Sequence, residues 1–252
     1  MPEFVDIEMD ARGVARLTIN RGAKANALSS AVMRDLIAGF KELSTRDRLR
    51  SVVLASAGNK SFIGGADVRE MAALDAASAR AFITLVHETC QAARDCPVPV
   101  VARIQGHTLG AGLELAAACD LRVASSRAVF GMPEVRIGLP SVVEAALLPR
   151  LIGAGRARWL VLTGANIDAE QALRWGLIEQ VVDSDALDPT VDALVDMLIA
   201  NGPLAIRVQK RLTQMWEDTP LESAIAQSID VFVQGFARDE SITMLRASAE
   251  RL

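Results

Sequence analysis

The sequence predicts an α/β protein that changes character about two thirds of the way along. Three observations carry this. Short β-rich runs alternate with helical patterns in a strand–strand–helix rhythm up to a boundary between Asp183 and Pro189, and helices alone follow. An apolar run, Val98-Pro99-Val100-Val101-Ala102, reads as a buried strand and leads into a glycine turn and a helix, Gly110-Ala111-Gly112-Leu113-Glu114-Leu115-Ala116-Ala117-Ala118. That helix carries Leu, Ala and Cys on every side, so it reads as buried all round.

Taken in order, residues 4–20 form two short strands about a turn at Asp10-Ala11-Arg12-Gly13. A loop from Asn20 to Leu28 precedes an amphipathic helix capped by Ser29 and ending near Leu43. Residues 51–56 make a buried strand. The stretch from Ser61 through Gly64-Gly65-Ala66 to Met71 is a glycine loop opening a short helix. Residues 77–95 are a long helix stopped by Cys96-Pro97. After the central helix come short strands at 121–124 and 128–130, a turn at Gly131-Met132-Pro133-Glu134-Val135, and a helix starting at Pro140-Ser141. Residues 154–164, 168–174, 186–200, 203–216 and 219–235 read as helices, with a last one from Asp239.

At 252 residues and 51% hydrophobic, the chain can bury a sizeable core. No apolar run reaches the roughly 18 residues of a membrane span. The acidic start, Met1-Pro2-Glu3-Phe4-Val5-Asp6, lacks a signal peptide's basic flank and apolar centre. Three cysteines without C-x-x-C spacing argue against a disulfide framework or zinc site, and for a cytoplasmic location. A net charge of −4 argues against a general nucleic-acid binder. There is no G-x-S-x-G elbow, H-E-x-x-H motif or Walker loop.

Two features carry chemistry. Gly64-Gly65-Ala66 and Gly110-Ala111-Gly112 each present backbone N–H groups at a helix start, and together they could form an oxyanion hole; either loop taken alone is better read as close helix–strand packing. Glu114, three residues into the buried helix, is a lone carboxylate that must be paired or used. Arg103 and Arg122 are its candidate ion-pair partners. His87 reads as a surface or packing residue, and His107 as structural or as support for the site.

Together, Asn20-Arg21, Lys24, Asn26-Ala27-Leu28, Ser61-Phe62, Gly64-Gly65-Ala66-Asp67, Glu70-Met71, Gly110, Gly112, Glu114-Leu115-Ala116 and Phe130-Gly131-Met132-Pro133-Glu134 resemble the crotonase, or enoyl-CoA hydratase/isomerase, superfamily across essentially the whole chain. The resemblance implies a spiral of ββα units over residues 1–188 carrying the active site. It also implies a C-terminal helical region, 189–252, that builds homotrimers or hexamers. Ala66 and Ala111 match the positions whose N–H groups hold the thioester oxygen. Glu114 and Glu134 match the paired glutamates of the hydratases, Glu114 mainly activating water and Glu134 mainly protonating Cα. Lys24, Ala25, Ala66, Val68 and Arg69 match positions along the CoA. The implied reaction is hydration or dehydration of an enoyl-CoA without metal, cofactor, nucleic-acid or membrane partner. The alternatives are a double-bond isomerase using one glutamate and, more remotely, an RNA binder whose only basic cluster is Arg46, Arg48 and Arg50.

The chain departs from the family pattern in several places. The loop before Pro140 is one residue shorter than the usual hydratase pattern, and the tail, ending at Leu252, is shorter than the one that often helps cover a neighbour's CoA. Ala111 stands for a commoner glycine, Met132 for a polar residue, and Ser141-Val142-Val143-Glu144 for a glycine-rich turn. Ser141 and Glu144 fit a capping box, which would make Glu144 a structural acid; the other reading is a third carboxylate at the site.

Overall fold

The computed structural model describes residues 3–237 and 239–250. Its strands, in chain order, are β1 (Val5–Met9), β2 (Val14–Ile19), β3 (Ser51–Ser56), β4 (Ser61–Ile63), β5 (Val100–Ile104), β6 (His107–Leu109), β7 (Leu121–Ser125), β8 (Val129–Gly131), β9 (Asn166–Asp168) and β10 (Gln180–Val182). The helices of the first part are α1 (Ser30–Ser44), α2 (Val68–Met71), α3 (Ala76–Asp95), α4 (Ala111–Ala118), α5 (Leu148–Ile152), α6 (Ala154–Thr163) and α7 (Ala169–Trp175). Then come α8 (Leu187–Ile199), α9 (Pro203–Asp218), α10 (Leu221–Gly235) and α11 (Asp239–Ala249).

The strands form two sheets, ordered β1-β2-β3-β5-β7-β10 and β4-β6-β8-β9. β1 is antiparallel to β2, and the rest of the larger sheet is parallel. Each successive strand pair, β3–β4, β5–β6 and β7–β8, places one strand in the large sheet and the next in the small one before a helix returns. That is a spiral of ββα turns. The large sheet is apolar on both faces, as parallel strands usually are. Along β3, Val52 and Leu54 point into the main core with Val100 and Ala102 of β5, while Val53 and Val101 point to the opposite face.

That second face is covered by α8. Its Leu187, Val191, Leu194 and Val195 pack on Val53, Val101 and Val123. The apolar face of α8 is thus covered inside the chain, and the residue 188/189 division falls within α8. The stripe on α10 is different: Ile229, Phe232 and Val233 remain 60–69% exposed. α9 is fastened to the core by Lys210, whose buried Nζ donates to Asp120 Oδ2 at 2.8 Å and to the carbonyls of Ala93 and Val98 at 3.1 Å.

Helix limits follow the caps. The Ser29 hydroxyl accepts from the Val32 N–H, and Asp75 with Ser78 forms a capping box on α3. The three-residue strands β4, β6, β9 and β10 escape the sequence pattern, because so few residues cannot show alternation; β8, equally short, is legible through the apolar run Ala128-Val129-Phe130. The helix expected from Pro140-Ser141 is instead a 3-10 turn, Val143–Leu147, followed by α5.

Candidate active site

The site is built at the start of α4, where three loops converge. Gly112 lies so close to β4 that a Cβ would fall 2.3 Å from the Ile63 carbonyl oxygen. Gly65, at φ +116°, runs beside Leu109, so the two glycine loops are neighbours. The Leu28 N–H donates to Gly65 O and the Asp67 N–H to Leu28 O, both at 2.9 Å. These bonds use the groups on either side of Ala66, so its own N–H faces away from Leu28. Ala111 is the first residue of α4, where backbone N–H groups have no intrahelical partner. No described residue accepts a hydrogen bond from the N–H of Ala66 or of Ala111.

Glu114 is 4% exposed, and among the described residues no cation forms an ion pair with it. The two candidate arginines are engaged elsewhere. Arg103 pairs with Asp188, and Arg122 pairs with Glu179 and caps the far end of α4 through the carbonyls of Ala116 and Cys119. The bond Glu114 does receive comes from the Ala145 N–H, at 3.2 Å to Oε1. Burial first, then the charges of Glu134 and Glu144, push its carboxyl from the usual 4.5 up to about 8, against the opposing pull of the Ala145 bond.

Glu134 reaches the same helix start from the loop after β8. Its Oε1 lies over Gly110, where a Cβ would stand 2.3 Å away, and Gly110 itself adopts φ +51°. Glycine is therefore required there twice, for conformation and for space. The Ser141 hydroxyl donates to Glu134 Oε2 at 2.8 Å. Ser141 is consequently no cap. Val142 holds the N-cap position without a side-chain bond, and Glu144 turns inward to His87, Oε1 to Nδ1 at 2.6 Å. The capping-box reading of Ser141 and Glu144 is overturned because each side chain bonds outside the turn, Ser141 to Glu134 and Glu144 to His87. His87 and Ser141 were not legible as site residues, since their partners lie 57 and 7 positions off in unrelated elements. His107 is exposed at the start of β6, neither buried nor bonded to a site carboxylate.

Along the rim, the loop bearing Lys24 and Ala25 leans on the first glycine loop through the Gly64 N–H, which donates to Ala25 O at 2.9 Å. Asn26, buried, ties the same loop to the carbonyls of Ala57 and Ser61. Lys24, Ala25, Val68 and Arg69 are all exposed, and Val68 is 59% exposed despite being apolar. The three arginines of the possible basic cluster are spent internally: Arg46 on Glu42, Arg48 on Ala11 O, Arg50 on the carbonyls of Ile199 and Asn201. Among the described residues no group of three or more His, Cys, Asp or Glu is arranged to hold a metal ion, and no helix is long and apolar enough to cross a membrane.

The profile of the enoyl-CoA hydratase/isomerase family matches residues 10–252. The chain belongs to that family. It is 33% identical over 251 residues to the short-chain-enoyl-CoA hydratase of Clostridium acetobutylicum, covering 99% of this chain and 96% of that protein. It is 33% identical over 239 residues to the crotonyl-CoA hydratase of Syntrophomonas wolfei, covering 94% and 92%. Among solved structures, an enoyl-CoA hydratase of Mycobacterium smegmatis superposes with a TM-score of 0.96 at 31% identity, covering 98% of this chain and 96% of that one. An enoyl-CoA hydratase of Bacillus anthracis gives 0.94 at 29%, covering 99% and 97%. This match of whole folds accounts for the ββα spiral and the helical C-terminal region of the family member.

Proposed function

We propose that the chain is an enoyl-CoA hydratase that adds water across the 2,3 double bond of an acyl-CoA thioester at the start of α4. The observation that carries this is the convergence of Glu114 and Glu134 on one helix N-terminus. Water attack at Cβ pushes the π electrons toward Cα and the thioester oxygen, which gains charge. The N–H groups of Ala66 and Ala111 stabilise that oxygen. One carboxylate takes a proton from the water while one carboxyl delivers a proton to Cα, so the pair must hold one proton between them. An isomerase needs only one such group, and two favour hydration.

Burial, and then the charge of Glu134, favours the protonated form of Glu114 in the unliganded chain. For Glu114 to activate water, its proton must first pass to Glu134. The division of roles is therefore a property of the bound state. The cations Lys24 and Arg69, with Ala25, Ala66 and Val68, line the path of the CoA, which enters as part of the substrate; the reaction asks for no other cofactor. The exposed stripe of α10 forms the contact of a homotrimer, single or stacked as a hexamer, with the helices beyond α8 as the assembling region. Three free cysteines suit a reducing cytoplasm.

The test compares crotonyl-CoA hydration, 3-enoyl-CoA isomerisation and CoA affinity for wild type, Glu114→Ala and Glu134→Ala. Glu114→Ala should lose hydration more than isomerisation, and Glu134→Ala should lose both, with CoA affinity kept throughout. Near-wild-type hydration by Glu114→Ala refutes the water-activating role. Wild-type isomerisation without hydration selects the isomerase. Sedimentation equilibrium at micromolar protein reads the assembly, and a monomer overturns it.

A further inference from the structure

The turn that follows the loop bearing Glu134 combines a strained backbone with a buried acid. Val143, a β-branched residue, sits at φ +41°, a conformation that side chains of its kind rarely adopt. Glu144 next to it is 7% exposed. Its Oε2 is buried without a hydrogen-bond partner among the described residues, while Oε1 meets His87 Nδ1 at 2.6 Å. His87 lies on α3 with its side chain about half exposed, so an anchored surface histidine reaches inward to fix a buried acid. The following residue, Ala145, shares its N–H between Val142 O at 2.9 Å and Glu114 Oε1 at 3.2 Å. The groups facing Glu144 are thus His87 and Cys90 on α3 and Glu114 on α4. The Cys90 thiol is pushed well up, by burial first and then by the charges of Glu144 and Glu114.

We infer that His87 and Glu144 form a positioning pair for Glu114: their contact holds the strained 142–145 turn, and the turn holds the Ala145 N–H on one oxygen of Glu114. The other oxygen is thereby left for the proton transfer, on the hydratase reading above. Neither His87 nor Glu144 needs to touch the reacting atoms. Letting the turn relax would free Glu114 to rotate, and misplacement of a reacting group on the ångström scale costs up to about a hundredfold in rate.

The full-length protein is compared as His87→Ala, Glu144→Ala, the double variant and Glu144→Gln. Both single alanine variants should lower kcat for hydration by roughly ten- to a hundredfold. KM for the enoyl-CoA should stay near wild type, because the CoA path is untouched. The double variant should be no worse than either single one, as two halves of one contact behave. Glu144→Gln retains an oxygen that accepts from His87 and should recover most of the lost kcat. Hydrogen exchange followed by mass spectrometry should show faster exchange over residues 142–147 in the alanine variants only. Alanine variants with wild-type kcat, or with unchanged exchange in the turn, overturn the inference. So does a Glu144→Gln variant as damaged as Glu144→Ala, since that assigns Glu144 a proton-transfer role of its own. If wild type hydrates no enoyl-CoA, the hydratase reading fails, and the exchange data alone decide whether the pair holds the turn.

Discussion

Replacing Glu114 by glutamine should stabilise the protein, and increasingly so as the pH rises. Its carboxyl is raised from 4.5 to about 8, chiefly by burial and then by the charge of Glu134. Below the ordinary carboxylate value the group is protonated whether the chain is folded or not, and it opposes nothing. As pH rises above that value the unfolded chain ionises freely while the folded chain does not, so stability is lost. The loss is complete once pH passes the folded value near 8. At about 1.4 kcal/mol for each tenfold change in ionisation, this interval sets a ceiling near ~5 kcal/mol. Relaxation and water entry in a real interior reduce it, and about 2–3 kcal/mol is the reasonable expectation. In a chain of this size that is roughly 5–10 °C in melting temperature. Glutamine has nearly the same shape and carries no charge at any pH. The measurement is thermal and urea unfolding of both proteins at equal protomer concentration, from about pH 5 to about pH 9. The advantage of Glu114→Gln should be small at the acid end and widest at the alkaline end. A constant difference across that range would mean that Glu114 is not an uncompensated buried acid.

The same protonation governs the rate. A pair that must carry one proton loses its acid as pH rises through about 8, so the hydration rate should fall on that limb, read from kcat/KM against pH. Gly110→Ala would place a Cβ 2.3 Å from Glu134 Oε1 at a residue with φ +51°. It should displace that carboxylate and lower kcat by about a hundredfold while CoA affinity, measured by calorimetry, is kept. Lys210→Met leaves the Asp120 carboxylate and the carbonyls of Ala93 and Val98 without their shared donor. Urea denaturation should register a loss of about 3–5 kcal/mol.

What the sequence disclosed follows from the range of the interactions involved. Helix ends set by adjacent residues were legible: Ser29 opens α1, and Cys96-Pro97 stops α3 at Asp95. β9 was hidden because three residues, Asn166–Asp168, are a strand only by virtue of pairing with β8. The apolar face of α8 was visible, but its cover was not. Val191 and Leu194 find the sheet through Val53 and Val101, residues far behind them in the chain.

The site divides along the same line. Glu114 stands out in sequence because a lone acid among alanines and leucines has no ordinary reason to be there, and the structure supplies none: both arginines that might have paired with it are bonded elsewhere. Ser141 and Glu144 mislead for the opposite reason. Their S-x-x-E spacing satisfies a local rule worth about 1 kcal/mol, yet Glu134 and His87 offer each of them a bond that involves a charged or ionisable group. A local pattern predicts only while no distant group competes for the same atoms. In this active site, competition from elsewhere in the fold is the rule. The raised pKa of Glu114 is its clearest product, since it depends on α4 being buried and on acids contributed by two later loops.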